Sequence, residues 1–178
     1  LMTPLYYKHA EEEAYKVKNE YYFGSELLVC PITSKIKRYF NRAGAKVYFP
    51  EGGWYDFFTG EKYVGKKTMK VWRKLDTIPV FAKAGAIVPM LSDGETNKLT
   101  FDDLTVKIFS GNGEYTLFDE DGEMSYKQTL TDSGLKIEIS GNLPNLKKQT
   151  ICVTNLVSAK IKIDGKVADS LVLDGGAH

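Results

Sequence analysis

A two-residue rhythm governs this sequence. Leu104, Val106 and Ile108 alternate with Thr105 and Lys107, Leu135, Ile137 and Ile139 with Lys136, Glu138 and Ser140, and Ile161 and Ile163 with Lys160 and Lys162. Successive side chains of a strand point to opposite faces, so such runs describe half-buried strands of antiparallel sheets. Turn signals punctuate them at Gly52-Gly53, Thr59-Gly60, Gly111-Asn112-Gly113, Asp121-Gly122, Ser133-Gly134 and Asp164-Gly165. The fold class that follows is all-β, of the sandwich kind.

Only residues 8–18, KHAEEEAYKVK, suit a helix. Their composition is favourable, but the stretch is short and its apolar face is limited to Ala10, Ala14 and Val17, so a turn or a short helix is expected. Pro79 and Pro89 cannot donate to a ladder and belong at strand starts or edges. Residues 91–98, LSDGETNK, follow the apolar run AGAIVPM and read as a hinge. The expected organisation is two antiparallel β-sandwich domains in tandem, a proximal one over residues 1–90 and a distal one over 98–178, with 91–97 as linker. The first should bury Val47, Phe49, Val80 and Ile87, and the second Val106, Ile108, Leu117, Ile137, Ile139 and Val153.

With 24 basic and 23 acidic residues the net charge is +1, which argues against a nucleic-acid or membrane partner. No run of 18 apolar residues occurs, and the start LMTPLYYKHA lacks the basic and apolar regions of a signal peptide. A cytoplasmic location is the expectation, and Leu1 in place of an initiator Met suggests a piece of a longer chain, whose export signal would lie elsewhere. Cys30 and Cys152 sit in the apolar runs LLVCPI and TICVTN and read as two reduced, buried thiols.

Common catalytic constellations have no material here. His9 and His178 lie near the two ends, so a Ser/His/Asp or Cys/His arrangement would have to recruit a terminus, and a His/Cys zinc site has no workable spacing. The SGNG of 110–113 lies between two strand patterns and reads as a hairpin, not as a phosphate loop. No cofactor and no metal is expected. Carboxylates remain. The stretch 44–61, GAKVYFPEGGWYDFFTGE, crowds Trp54, Tyr55 and three Phe around Glu51, Asp56 and Glu61, with Asp76 beyond. Paired carboxylates in an aromatic cleft are the equipment of glycoside hydrolysis. The plainer alternative makes Glu51-Gly52-Gly53 a hairpin turn, Trp54 the start of the return strand, and Asp56 an exposed group or one bonded to a loop amide. The acids at Asp119, Glu120, Asp121 and Glu123 are too bunched for a calcium loop and read as a solvated hairpin, a weak cation site being the alternative.

Three blocks, YYFGSELLVCPI at 21–32, VYFPEGGWYDFFTGE at 47–61 and LDTIPVFAKAGAIVPM at 75–90, closely resemble the segment that follows the catalytic barrel in glycoside hydrolase family 31, and YTLFDEDGEM at 115–124 resembles the acidic hairpin of that family's last domain. The family contains α-glucosidases and α-xylosidases. The resemblance implies proximal and distal C-terminal β-sandwich domains, with the region of Thr3-Pro4-Leu5 matching the exit from the barrel. Thr3 stands where many members have Arg, and Ala84-Gly85-Ala86 where many are richer in Gly, which leaves the preferred sugar open.

It also implies that the nucleophile and acid/base aspartates of a retaining reaction lie upstream, that Asp56 is neither of them, and that no residue of this chain is catalytic. The role implied is a non-catalytic scaffold whose partner is the (β/α)8 catalytic barrel of its own parent chain, with an α-linked oligosaccharide as the parent's substrate. Two other roles compete. Trp54, Tyr55 and Trp72 could offer sugar-stacking platforms, and Tyr21, Tyr22 and Phe23 a protein-interaction or oligomerisation surface, with self-association as its sign. Tyr6, Tyr7, Tyr15, Tyr21 and Tyr22 give the segment 5–23 more aromatic surface than it needs for itself, so its Tyr and Phe side chains are expected either exposed in a contiguous patch or buried against a second copy.

Overall fold

The computed structural model describes residues 2–92 and 102–154, together with the backbone of 162–163 and 166–167. In chain order the strands are β1 (Met2–Pro4), β2 (Tyr21–Phe23), β3 (Leu27–Val29), β4 (Ala43–Phe49), β5 (Gly53–Asp56), β6 (Lys62–Val64), β7 (Lys67–Arg73), β8 (Val80–Lys83), β9 (Ile87–Leu91), β10 (Asp103–Ile108), β11 (Gly113–Asp119), β12 (Gly122–Thr131), β13 (Gly134–Asn142), β14 (Lys148–Val153), β15 (Lys162–Ile163) and β16 (Lys166–Val167). Between β1 and β2 lie a 3-10 turn at Leu5–Tyr7 and the helix α1 (Glu12–Lys16). The helix is anchored by one buried residue, Ala14, and Val17 is buried just past its end. This is the short helix expected, and the chain is otherwise β and loop over the described residues.

Six strands form one sheet in the order β1-β2-β3-β8-β5-β6, and β4 pairs with β7 as a separate ribbon. Two three-stranded sheets, β14-β10-β9 and β11-β12-β13, make up the later part. All these pairs are antiparallel except β10 with β14, which runs parallel. β9 and β10, strands from either side of the expected 91–97 linker, share a sheet. Residues 93–97 of that linker and the Asp164-Gly165 turn lie outside the described residues. Pro89 lies within β9, an edge strand of its sheet, and Pro79 precedes β8, so neither interrupts a central ladder.

Burial follows the alternation. Between the six-stranded sheet and the ribbon, Leu28, Val47, Phe49, Trp54, Val71 and Phe81 pack into one core. β5 and β8 are internal to their sheet and buried on both faces: Trp54 and Phe81 enter that core, while Tyr55 and Ala82 turn the other way and meet Ala86 and Phe109. A third core joins Val106, Ile108 and Tyr126 with Leu117, Ile137 and Val153 at its margin. Two assignments need correction. Ile87 is buried in this third core rather than with Val47 and Phe49, because β9 pairs with β10. Ile139 is 43% exposed; β13 runs past the core it covers, and the residues on both sides of Ile139 are exposed too.

The SGNG segment is a further correction. β10 and β11 do not pair, so residues 109–112 form a corner between two sheets rather than a hairpin. That corner is pressed against Gly85. The Gly85 N–H donates to Phe109 O at 3.1 Å, and the Phe109 N–H returns a bond to Ala86 O at 2.9 Å. Gly85 has φ +88, and a Cβ placed on it would lie 2.0 Å from Asn112 O; one on Gly113 would lie 2.1 Å from Gly85 O. Only glycine permits this backbone contact. Gly85→Ala is therefore expected to destabilise the chain by roughly 2–4 kcal/mol, read from the midpoint of urea unfolding.

Candidate functional site

The aromatic stretch 44–61 is built around a turn. Gly52, with φ +118, lies where the chain passes from β4 in the ribbon to β5 in the six-stranded sheet, two strands that do not pair, so Glu51-Gly52-Gly53 is a crossing between sheets rather than a hairpin turn, and the Gly52 carbonyl accepts the Gly65 N–H at 2.8 Å. Trp54, 3% exposed, lies between Tyr22 and Phe49, and its indole N–H donates to Pro50 O at 2.9 Å. That bond satisfies the polar edge of a ring otherwise committed to the core. Tyr55 is buried on the opposite face against Phe109.

Asp56 is 1% exposed and fully engaged. Its Oδ1 accepts the Phe58 and Thr59 N–H groups, each at 2.9 Å, and its Oδ2 receives the guanidinium of Arg73 from β7. The Asp56 N–H donates to Glu61 O, and the Gly60 N–H to Asp56 O. A carboxylate so placed fixes a loop and joins two layers; it has no face to offer a substrate. Of the alternatives read for Asp56, the loop-amide bond is present and the exposure is not. Glu51 pairs with Lys66 at 3.0 Å on the surface, Glu61 accepts the Tyr63 hydroxyl at 2.9 Å, and Asp76 is exposed. These carboxylates do not converge on one cleft.

The other candidates lie apart. Trp72 is half-buried, with Phe40 edge-on at 5.6 Å and the ammonium groups of Lys70 and Lys37 over its ring at 4.5 and 5.3 Å. Tyr22 is buried and its hydroxyl shares a 2.8 Å hydrogen bond with His9 Nε2, burial holding that hydroxyl well above the usual phenol range. Tyr21 is half-buried and Phe23 exposed. Of the five N-terminal tyrosines three form an exposed cluster: Tyr6 stacks on Tyr15 at 5.4 Å and tilts against Tyr7 at 5.2 Å. In the acidic hairpin the Glu120 N–H donates to Asp119 Oδ1 at 2.8 Å, and no group of three potential metal ligands occurs among the described residues. Cys30 is buried, with its thiol pushed up to about 12, and Cys152 is half-buried.

Residues 1–88 match the family model of the glycosyl hydrolase family 31 C-terminal domain. The chain carries a family 31 C-terminal domain. It is 35% identical over 128 residues to an α-xylosidase of Saccharolobus solfataricus, covering 68% of this chain and 17% of that one. Against α-glucosidase 2 of Bacillus thermoamyloliquefaciens it is 29% identical over 133 residues, 72% of this chain and 16% of the relative. Among solved structures, the cycloalternan-forming enzyme of Listeria monocytogenes superposes with a TM-score of 0.71 at 28% identity over 95% of this chain and 17% of that one. A family 31 dextranase of Flavobacterium johnsoniae gives a TM-score of 0.68 at 25% identity, over 82% and 20%. The chain thus spans about a fifth or less of the length of these relatives.

One residue of the family 31 domain escaped sequence reasoning. Glu20 is 2% exposed, its Oε2 accepting the Tyr48 N–H at 2.9 Å and its Oε1 buried without a partner. It lines a cleft of about 340 Å³ with Lys16, Lys18, Cys30, Ser34 and Lys46. The stretch Lys18-Asn19-Glu20 reads as a polar loop, so nothing local marks the acid as buried. Burial pushes its carboxyl up to about 8 from the usual 4.5, against the Tyr48 N–H, which favours the charged form. The folded chain therefore holds a proton that the unfolded chain has released. The resulting stability is complete below the unfolded value and is lost as pH rises toward the folded one, at no more than about 1.4 kcal/mol per pH unit. Glu20→Gln should abolish this decline. Urea unfolding of both proteins from about pH 5 to 9 checks it: the variant's relative stability should rise with pH and level off above 8, the folded-state value.

Proposed function

We propose that this chain is the non-catalytic C-terminal part of a family 31 α-glycosidase of the α-glucosidase or α-xylosidase type. The observation that carries this reading is the state of Asp56, the one buried acid among Glu51, Asp56, Glu61 and Asp76, whose two oxygens are consumed by Phe58, Thr59 and Arg73. A retaining glycosidase needs two carboxyl groups about 5 Å apart, one free to attack and one to carry a proton. In this proposal both belong to the (β/α)8 barrel of the parent, together with the α-linked oligosaccharide it cleaves. The sandwich contributes surface. The exposed Tyr6, Tyr7 and Tyr15 cluster supports docking against that barrel, because burying each ring stabilises by roughly 1.5–3 kcal/mol.

The sugar-platform role has less support from the candidate aromatics. Trp54 and Tyr55 are core residues, and Trp72 is covered by its own lysines.

The purified 178-residue chain should not turn over aryl α-glucosides or α-xylosides. Turnover that co-purifies with the chain and vanishes in a folded Asp56→Asn variant would overturn the scaffold reading. In the full-length parent, Tyr7→Ser with Tyr15→Ser is expected to lower Tm by a few degrees while kcat/KM of the folded enzyme is retained.

A further inference from the structure

The near-neutral charge of the chain conceals a strongly basic face. Residues 27–50 and 62–75 hold eleven of the 24 basic residues and none of the 23 acidic ones. Pairing of β4 with β7 lays much of the two segments side by side. On the inner face of that ribbon Val47, Val71 and Arg73 meet the sheet; on the outer face Lys46 stands directly opposite Lys70, with Gly44 opposite Trp72 beside them. Like charges opposed across an antiparallel pair repel at Cβ separations near 5 Å. Among the described residues no acidic side chain lies within 4.0 Å of either lysine, although the Lys70 ammonium stands over the Trp72 ring. Lys66 and Arg73 have acidic partners, but Lys35, Lys37, Arg38, Arg42, Lys46, Lys70 and Lys74 have none within 4.0 Å among the described residues.

Aromatic rings sit among these charges. The turn that leads into β4 is closed by Lys37 N–H to Arg42 O at 2.8 Å and pivots on Asn41 at φ 50. It holds Tyr39 out at 97% exposure, with Phe40 half-exposed and edge-on to both Tyr39 and Trp72. Exposed Tyr39 and Arg38, a half-buried Trp72 and cations without an acidic partner make up the composition of a protein-binding hot spot for an acidic partner.

The complement is present in the same chain. Outside the two basic segments there are 13 basic and 23 acidic residues. At the β11-β12 hairpin, Glu120, Asp121 and Glu123 are exposed, none in an ion pair among the described residues, and Phe118, directly across from Glu123, is 67% exposed. The basic ribbon thus pairs exposed rings with cations, and the hairpin pairs an exposed ring with anions.

We propose that the ribbon of β4 and β7, with the turn at 37–42, is the docking face for the acidic hairpin at 118–123 of a second copy of this chain. The contact is heterologous: each copy offers one donor hairpin and one acceptor ribbon, so association extends head to tail unless the geometry closes it. Opposed fields speed encounter and set the register, while Phe118 against Tyr39 and Phe40 supplies apolar contact.

Sedimentation velocity over a concentration series, at about 20 and 500 mM salt, tests this. Larger species are expected to grow with concentration at low salt and to dissolve at high salt. A ribbon variant, Lys37→Gln with Lys70→Gln, and a hairpin variant, Glu120→Gln with Asp121→Asn, should each weaken association at least about tenfold alone. Mixed at equal amounts they should form a 1:1 complex that grows no further, because one supplies an intact hairpin and the other an intact ribbon. Circular dichroism of each variant establishes that it is folded. The proposal is overturned if the wild-type chain stays monomeric at low salt, if the mixture of folded variants stays monomeric, or if association is insensitive to salt and removed by Tyr7→Ser instead. Monomeric chain that binds dextran sulfate or duplex DNA through Lys37 and Lys70 would replace it with a polyanion site.

Discussion

The contact between Asp56 and Arg73 holds the layers of the family 31 domain in one arrangement. Asp56 ends β5 in the six-stranded sheet, and Arg73 ends β7 in the ribbon that covers it. Removing two charges from water costs as much as their attraction returns, so a buried pair adds little net stability over an apolar one, while truncating either partner costs about 3–5 kcal/mol. What the pair confers is register. A strand shifted by one residue turns every side chain to the opposite face. With Arg73 bound inward, Val71 and Met69 also face the core, and Lys70 and Trp72 face outward. The same carboxylate gathers the Phe58 and Thr59 amides, so the loop between β5 and β6 is fixed by the group that fixes the ribbon.

Much of the fold was legible because strand burial leaves a period in the sequence. Val106 and Ile108 face the core while Thr105 and Lys107 do not, as their alternation implied. The same rule failed where burial depends on what lies opposite. Ile139 keeps the apolar phase of β13 but stands beyond the core. Ile87 keeps its burial but changes core, since pairing of β9 with β10 is a long-range choice that no local pattern records. The corner at Gly111-Asn112-Gly113 was read as a hairpin because its glycines suit one; their use here is to let the backbone of Gly85 approach, a contact with a residue 26 positions away from Gly111. The parallel pairing of β10 with β14 is of the same kind.

The aromatic stretch shows how composition can suggest chemistry that packing explains. β5 is internal to its sheet, with a core on each face, and a strand in that position carries apolar side chains at successive positions instead of alternating. Trp54 and Tyr55 are therefore adjacent because both faces need filling. An acid at the end of such a strand, beside Phe57 and Phe58, has the local appearance of a catalytic group in an apolar nest. Arg73, which accounts for it, is 17 residues away and shares no motif with it. Glu20 was invisible for the opposite reason: a polar neighbourhood in sequence folds so that one member turns inward under Tyr48.

Charge repeats the lesson at a larger scale. Summed over the chain, basic and acidic residues nearly cancel, and the sum excludes a polyanion partner only if the signs are mixed in space. They are not, because antiparallel pairing of β4 with β7 brings together two acid-free segments. The ribbon tolerates Lys46 opposite Lys70 because its register is set from the other face, by Val47, Val71 and the ion pair of Arg73 with Asp56. Repulsion of a few tenths of a kcal/mol to about 1 kcal/mol between exposed lysines cannot displace strands held by a buried apolar layer and a desolvated charge pair. The interior thus allows Lys46 and Lys70 to stand on the outer face without an acidic partner within 4.0 Å among the described residues, and that part of the face is available for an acidic surface from outside the fold.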